Sequence, residues 1–167
     1  MTWYSHKLVT FSIVLATSGD LILGFLSSAF SVIPDSLEGF DYESERWKKN
    51  HRRISHWPVL YLILLIAGTI SLLSIQVKFW KVSLYKIIPN LINDLDKLPY
   101  GIVGYLLLAI GLGGLLHVFE DALSAKVPLL HPTRRTFGIH LIKTGSTLEY
   151  LISTTFLIAT LYFIYLK

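Results

Sequence analysis

Two groups of histidine and acidic residues carry the most chemistry in this sequence. One is the stretch of residues 51 to 56, which reads His-Arg-Arg-Ile-Ser-His, and the other is the pair His117 and Asp121. Imidazole and carboxylate side chains are the ordinary ligands of hydrolytic metal ions, and they are costly to hold near lipid without a partner. Both groups lie at ends of apolar segments, so we predict that they meet in a metal site at the edge of a membrane.

The spacing of His117 and Asp121 places both side chains on the same face of a helix, because residues four apart are neighbours there. An imidazole and a carboxylate placed in this way can bind one cation, whereas Glu120 points about a quarter turn away. Taken alone, the pair could equally be hydrogen-bonded to each other at a helix end.

His51 and His56 are expected to complete this site. Their separation by five residues fits a regular helix poorly, but Pro58 favours a helix start just after them, so both histidines are predicted in the turn that leads into that helix. The chain contains no cysteine. Nitrogen and oxygen atoms must therefore hold any metal, and we predict zinc or a similar divalent ion.

Other polar residues are predicted at the same membrane face. Asp35 follows the first apolar segment, Glu149 begins the last one, and His131 and His140 lie in the loop before it. We assign Asp35, Glu149 or Glu120 to orienting a ligand or acting as general base. Each of these residues could instead be a helix cap or an interfacial polar residue.

The composition is that of an integral membrane protein. Of the 167 residues, 53% are apolar, 13% are aromatic and 16% are charged. Four segments have about the 20 residues that a helix needs to cross a hydrocarbon core; they are Leu8 to Ile33, Pro58 to Val77, Leu98 to Phe119 and Ser146 to Leu166. We therefore predict an all-α integral membrane helical bundle, a single domain over residues 1–167, with polar loops that converge on one membrane face.

The cationic residues lie in short loops between these segments. Nine Lys and Arg residues fall in the loops 34–57 and 120–145, against six in the two chain ends and the loop 78–97. By the positive-inside tendency, the histidine-bearing face is cytoplasmic and both chain ends lie on the other side. Arg52, Arg53, Arg134 and Arg135 could bind a substrate phosphate or lipid headgroups. Membrane lipid is an expected partner and nucleic acid is not, while association into a homo-oligomer is left open.

The first apolar segment decides the place of His6 and Asp20. A straight helix of about 26 residues is roughly 39 Å long and puts His6 on the face opposite the site, where it is no ligand. A break at Ser18-Gly19-Asp20 would let the segment dip into the membrane and return. We favour the straight span, which leaves Asp20 near the bilayer centre, and keep the roles of both residues open.

The order of these motifs resembles that of the YdjM-like family of LexA-regulated inner-membrane proteins, described as metal-dependent hydrolases. The matching features are His6 near the start, Pro34-Asp35 after the first helix, residues 51–56 in place of an HRG-x-TH-like motif, residues 113–121 in place of a G-x-x-x-H-x-x-x-D-like motif, residues 127–132, Arg134-Arg135 and residues 144–149. The resemblance implies a bacterial inner-membrane location, a metal-dependent hydrolase activity and a role for His6. The H-x-x-x-D pattern is also similar to part of the ligand set of zinc-dependent phospholipase C and related nucleases, which implies a phosphoester substrate.

Two departures separate this chain from the family pattern. After residues 34–35 the family continues with an acid and a histidine, whereas this chain reads Ser-Leu-Glu, so one ligand is either missing or replaced by Glu38 or Asp41. The Gly of the HRG motif is Arg53 here, and a Gly expected shortly after the H-x-x-x-D motif is replaced by Lys126. These differences bear on catalytic competence more than on the fold.

Two functions are compatible with these residues. In the first, His117, Asp121 and one or both of His51 and His56 hold a metal that activates water against a phosphoester or lipid-linked substrate at the membrane face. In the second, the chain is a non-enzymatic membrane assembly or transport-accessory protein, and the same residues form a structural polar or metal site. The metal content of the purified protein distinguishes the two functions.

Overall fold

The computed structural model describes residues 1–39, 52–75, 98–134 and 136–166. Within these residues the helices are α1 (Trp3–Ser18), α2 (Leu21–Phe30), α3 (Ile33–Ser36), α4 (Pro58–Ser74), α5 (Leu98–Ser124) and α6 (Thr147–Tyr165). A short 3-10 turn at Ile54–His56 precedes α4, and an isolated antiparallel bridge joins Val127 and Phe137. The predicted all-α class is therefore confirmed for the described residues.

The first apolar segment is a helical hairpin, so the predicted straight span from Leu8 to Ile33 is wrong. Gly19 ends α1 with a φ of 67°, a left-handed conformation that glycine adopts without a Cβ clash. Asp20 then caps α2 by accepting hydrogen bonds from two backbone N–H groups of its first turn. The hydroxyl of Ser28 donates to the carbonyl of Lys7 at 2.9 Å, which shows that α2 runs back alongside α1.

Asp20 is buried at the tip of this hairpin and has a partner there. The hydroxyl of Tyr105 donates to Asp20 Oδ2 at 2.9 Å, so the remaining carboxylate oxygen is also satisfied. Tyr105 lies seven residues after the start of α5, which corresponds to about 10 Å along the helix. The hairpin tip therefore lies at the level of Tyr105 and does not extend to the start of α5.

Helices α4 and α5 pack antiparallel through glycines. A Cβ atom on Gly111 would lie 2.6 Å from the backbone nitrogen of Leu65, and one on Gly114 would lie 2.0 Å from the ring of Tyr61. Only glycine permits such a close approach between two helices. The contact fixes the start of α4 beside the end of α5.

The starts of α1, α4 and α6 meet the ends of α2 and α5 at one end of the bundle. The backbone N–H of Thr2 donates to Glu149 at 2.6 Å, which joins the start of α1 to the start of α6. Further along, Thr160 donates to the carbonyl of Ser12 at 3.5 Å, so α6 runs parallel to α1 and ends at the opposite end of the bundle. The prediction that both chain ends lie opposite the site is therefore wrong for the segment before α1.

Two of the described helices are long and apolar enough to cross a membrane, namely Pro99–Ser124 and Thr147–Tyr165. The apolar helices Leu21–Ser36 and Pro58–Ser74 are shorter. The third predicted span continues as a helix past Phe119 to Ser124, and this extra turn carries Asp121. The predicted loop 78–97 lies outside the described residues.

Candidate metal centre

Four side chains from three separate parts of the chain meet at the polar end of the bundle. Asp35 comes from α3, His56 from the 3-10 turn before α4, and His117 and Asp121 from the last turns of α5. Each offers one donor atom, and the four atoms all lie within 4.8 Å of one another. This group could hold a metal ion.

Five of the six distances between the donor atoms lie close to those of a tetrahedral site. His56 Nε2 lies 3.1 Å from His117 Nε2, 3.3 Å from Asp35 Oδ1 and 3.5 Å from Asp121 Oδ2. His117 Nε2 lies 3.6 Å from Asp35 Oδ1 and 3.9 Å from Asp121 Oδ2. Bonds of about 2.0 to 2.2 Å to zinc separate tetrahedral ligands by about 3.3 to 3.6 Å. Small movements of these side chains would therefore complete the coordination shell.

Asp35 presents one oxygen to the cluster and uses the other to fix its orientation. Trp3 Nε1 donates to Asp35 Oδ2 at 2.8 Å. Asp35 Oδ1 is buried and has no hydrogen-bond partner among the described residues. A buried carboxylate oxygen without a donor is costly unless a cation neutralises it. The geometry thus makes Asp35 a candidate ligand, whereas its sequence position suggested an orienting group or general base.

His56 is held by groups on the side of its ring away from the cluster. Its Nδ1 lies 3.1 Å from Glu38 Oε1 and 3.0 Å from the hydroxyl of Ser55. A carboxylate behind a histidine fixes the ring orientation and strengthens the histidine as a metal ligand. Glu38 therefore supports a ligand here and does not itself join the four donors. Burial lowers the pKa of His56, but the carboxylates of Asp121, Asp35 and Glu38 outweigh it and raise the pKa to about 10.

His6 lies at the cluster, so the prediction that it sits on the opposite face is wrong. Its ring stacks on that of His117 with centroids 3.9 Å apart, and its Nδ1 lies 2.6 Å from Glu120 Oε2. Its Nε2 lies 3.4 Å from Asp121 Oδ1 and has no hydrogen-bond partner among the described residues. The hairpin of α1 and α2 causes this placement, since it returns the chain to the end where α1 began.

Glu120 and Asp121 are neighbours on α5 with different roles. Glu120 accepts a hydrogen bond from Thr10 at 3.1 Å and holds His6, so it braces α1 against α5. Asp121 faces the four-donor cluster. From its direction on the helix, Glu120 was predicted to be a weaker candidate ligand than Asp121. Glu120 is not among the four donors.

Arg52 pairs with Asp121 instead of projecting freely towards a substrate. Its Nη2 donates to Asp121 Oδ1 at 3.1 Å, and its Nε contacts Asp121 Oδ2. Its backbone has a φ of 59°, which non-glycine residues seldom adopt, and its N–H donates to Glu38 at 2.9 Å. The amino group of Met1 also contacts Asp121. Two cationic groups thus surround this carboxylate.

The remaining predicted residues lie away from the cluster or outside the described chain. Glu149 accepts hydrogen bonds from Thr2 and from the backbone of Gly145 at 2.8 Å, so it joins α6 to α1 rather than acting at the cluster. Three of these predicted residues are exposed, namely His131, Arg134 and His140, and Arg53 is partly exposed. Three candidates lie outside the described residues: His51, Asp41 and Arg135.

The supporting roles of two residues could not be predicted from the sequence, for different reasons. Glu38 was considered only as a replacement ligand, since its contact with His56 depends on how the 3-10 turn folds. Trp3 gives no signal in the sequence, because a tryptophan near the start of an apolar helix is ordinary at a membrane interface. The Gly19-Asp20 pair was a visible signal for the hairpin that brings in His6.

Comparison with known proteins gives no relative from which a function could be transferred. No protein-family model, curated protein or solved structure matches this chain. The chemistry of the site therefore rests on the side chains and distances described above.

Proposed function

We propose that this chain is a membrane-embedded, metal-dependent hydrolase that acts on a phosphoester or lipid-linked substrate at the membrane face. The observation that carries the proposal is the group of four donor atoms from Asp35, His56, His117 and Asp121, which all lie within 4.8 Å of one another. Two imidazoles with two carboxylates suit zinc and related divalent ions. The resemblance to the YdjM-like family supports the same activity and a bacterial inner-membrane location.

The distribution of polar and apolar side chains supports a location in the membrane. Several polar side chains are completely buried between the helices: Ser5, Thr10, Ser12, Ser27 and Ser153. Many large apolar side chains point outwards from α4 and α6, among them Ile63, Ile66, Ile70, Leu151, Ile158 and Leu161. A soluble protein rarely exposes such a continuous apolar surface, whereas lipid covers it at no cost. The cationic count of the loops supports a cytoplasmic site face.

A bound divalent ion would lower the pKa of a water molecule and stabilise negative charge on the substrate. Neighbouring residues would orient the ligands and transfer a proton. Glu38 orients His56, and Trp3 orients Asp35, so both ligands are fixed before the substrate binds. His6 lies between two carboxylates, with its Nδ1 2.6 Å from Glu120 and its Nε2 3.4 Å from Asp121, which suits it to hold and transfer a proton at the site.

The second candidate function is a non-enzymatic membrane protein with a structural metal site. One observation favours it: the four protein donors would fill a tetrahedral shell, as protein ligands do in structural zinc sites. A catalytic site would need a further position for water. Arg52 pairs with Asp121 and would share that carboxylate with the ion.

Metal loading and phosphoester hydrolysis test the proposal together. The full chain, purified in lipid nanodiscs, is stripped with a chelator, reloaded with zinc and assayed with a chromogenic nitrophenyl phosphodiester. We expect about one zinc per chain and hydrolysis that depends on zinc. Asp35→Asn should lose both properties, and the exposed His131→Ala should keep both. Tight zinc binding without hydrolysis of any phosphoester would favour the structural metal site. Failure to retain any divalent metal would overturn both metal-dependent functions and favour a structural polar network.

A further inference from the structure

An apolar cavity of about 400 Å³ opens beside the metal centre, between α1, α5, α6 and the loop that follows α5. Its size lies within the range of about 300 to 1,000 Å³ that small-molecule sites occupy. The lining residues are Met1, Val9, Ile13, Leu116, Phe119, Glu120, Ala122, Leu123, Phe137, Ile139, Ile142, Ile152 and Phe156. Glu120 is the one charged side chain in this lining.

Glu120 and His6 connect this cavity to the candidate metal centre through direct side-chain contacts. Its carboxylate holds His6, and the His6 ring stacks directly on the candidate ligand His117. The polar end of the cavity therefore lies at the level of the metal donors. The apolar walls extend from there along α1 to Ile13, which is seven residues, or about 10 Å, beyond His6.

The shape of the space favours an elongated occupant. Phe156 also lines a second apolar cavity of about 480 Å³, which lies further from the metal centre between α1 and α6. Ala16, in the wall of this second cavity, is ten residues, or about 15 Å, beyond His6 along α1. The two cavities share Phe156 and follow one another along α1 and α6, the direction in which lipid chains run in a bilayer.

We propose that this cavity binds the acyl chain of a lipid substrate whose hydrolysable head group lies at the metal centre. The proposal rests on the proposed function, and it selects the lipid among the phosphoester substrates. An amphiphile fits this arrangement: its chain would meet the apolar side chains of the cavity, and its head group would lie at Glu120, which contacts His6 beside the metal donors. A water-soluble phosphoester would leave this apolar wall without an occupant.

Photocrosslinking tests the proposal on the full chain in nanodiscs. The probe is a lysophosphatidic acid with a diazirine near the end of its acyl chain, and the labelled peptides are mapped by mass spectrometry. Because the diazirine lies at the end of the chain that is remote from the head group, we expect labelling at residue 13 and in residues 152–156. Ile152→Trp and Ile139→Trp narrow the cavity from α6 and from the loop, and each should reduce this labelling about tenfold without loss of bound zinc.

The matched control is Ile158→Trp, the same substitution on the outer surface of α6, and it should leave the labelling of the cavity unchanged. Equal labelling of all outward-facing residues of α4 and α6, or labelling that Ile152→Trp does not reduce, would overturn the proposal. Cavity labelling in a protein that binds no metal would uphold the lipid site and sink the hydrolase. Zinc-dependent hydrolysis of the soluble phosphodiester without cavity labelling would support the hydrolase and overturn the lipid site.

Discussion

His56 Nε2 and His117 Nε2 lie 3.1 Å apart, although 61 residues separate the two histidines in the sequence. The two imidazoles can share only one hydrogen bond through these atoms, because one nitrogen must donate and the other accept. Carboxylate oxygens of Asp35 and Asp121 face the same point from other directions. A divalent cation would replace that single hydrogen bond with four coordinate bonds, which is why we assign the pair to a metal site.

The first prediction concerns His117. His117→Ala should weaken zinc binding by more than about 100-fold, because it removes a ligand rather than a supporting hydrogen bond. His140→Ala is the matched control, since His140 is exposed in the loop before α6 and should leave zinc binding unchanged. Zinc titration of the chelator-treated protein measures both variants. Equal affinity in the two variants would remove His117 from the site.

The second prediction is that zinc binding releases protons and strengthens as pH rises. Without a cation, the surrounding carboxylates raise the pKa of His56 to about 10 even though burial opposes this, so His56 is protonated at pH 7. A ligand nitrogen must lose its proton before it binds metal. Each pH unit below about 10 should therefore weaken apparent zinc affinity by up to about tenfold through this histidine.

Isothermal titration calorimetry at pH 7 in two buffers with different ionisation enthalpies measures the released protons. We expect about one proton from His56 per zinc ion bound. His56→Gln should release correspondingly fewer protons and bind zinc more weakly. Proton release that is the same with and without His56 would contradict the assignment of this residue as a ligand.

Three residues of the candidate metal centre, His56, His117 and Asp121, could be predicted as ligands from the sequence because their signals are local. The four-residue spacing of His117 and Asp121 on one helix, and the position of His56 just before Pro58, both follow from regular helix geometry. Asp35 was placed at the correct end of the bundle because it follows the first apolar segment. Its role as a candidate ligand depends on the bond from Trp3, and no sequence pattern reveals such a contact between distant elements.

The hairpin of α1 and α2 was missed because length and hydropathy do not distinguish it from a straight helix. The segment from Leu8 to Ile33 is long enough to cross a bilayer, and most of its residues are apolar. Gly19 ends α1 and Asp20 caps the start of α2, so these two residues produce the hairpin. The straight span placed His6 at the wrong end of the bundle. One missed helix break therefore kept His6 out of the predicted ligands.

The third prediction separates the neighbouring acids of α5. Asp121→Asn should abolish zinc binding, because it removes a donor oxygen from the cluster. Glu120→Gln should leave zinc bound but slow phosphodiester hydrolysis by about 10- to 100-fold, since His6 loses the carboxylate that holds its Nδ1. Zinc content and turnover are measured on the same preparations. If Glu120→Gln lost its zinc as well, Glu120 would itself be a ligand.

The fourth prediction concerns topology. The chain has no cysteine, so single cysteines can be introduced at Tyr4, Ser36 and Tyr165, each at an exposed position. The hairpin places Tyr4 and Ser36 at the same end of the bundle and Tyr165 at the other. A membrane-impermeant maleimide applied to one side of sealed vesicles should therefore label Tyr4→Cys and Ser36→Cys together and Tyr165→Cys from the opposite side. Labelling of Tyr4→Cys and Ser36→Cys from opposite sides would restore the straight span.

The fifth prediction tests how helix packing positions a metal ligand. A Cβ atom on Gly114 would lie 2.0 Å from the ring of Tyr61, whose hydroxyl donates to the carbonyl of Ser55 at 2.6 Å. Ser55 directly precedes His56, so displacement of Tyr61 should shift this ligand. Gly114→Ala should therefore destabilise the protein by about 1 to 3 kcal/mol and also weaken zinc binding about tenfold.

Gly104→Ala is the control for this fifth prediction. Its Cβ would lie 2.9 Å from the side chain of Ser71, in the same interface between α4 and α5 but towards the opposite end of the bundle from the metal centre. Thermal unfolding should show a lower midpoint for both variants, because both overpack the interface. Zinc titration should show a loss of affinity for Gly114→Ala alone. A comparable loss in both variants would mean that zinc binding follows general stability rather than the position of His56.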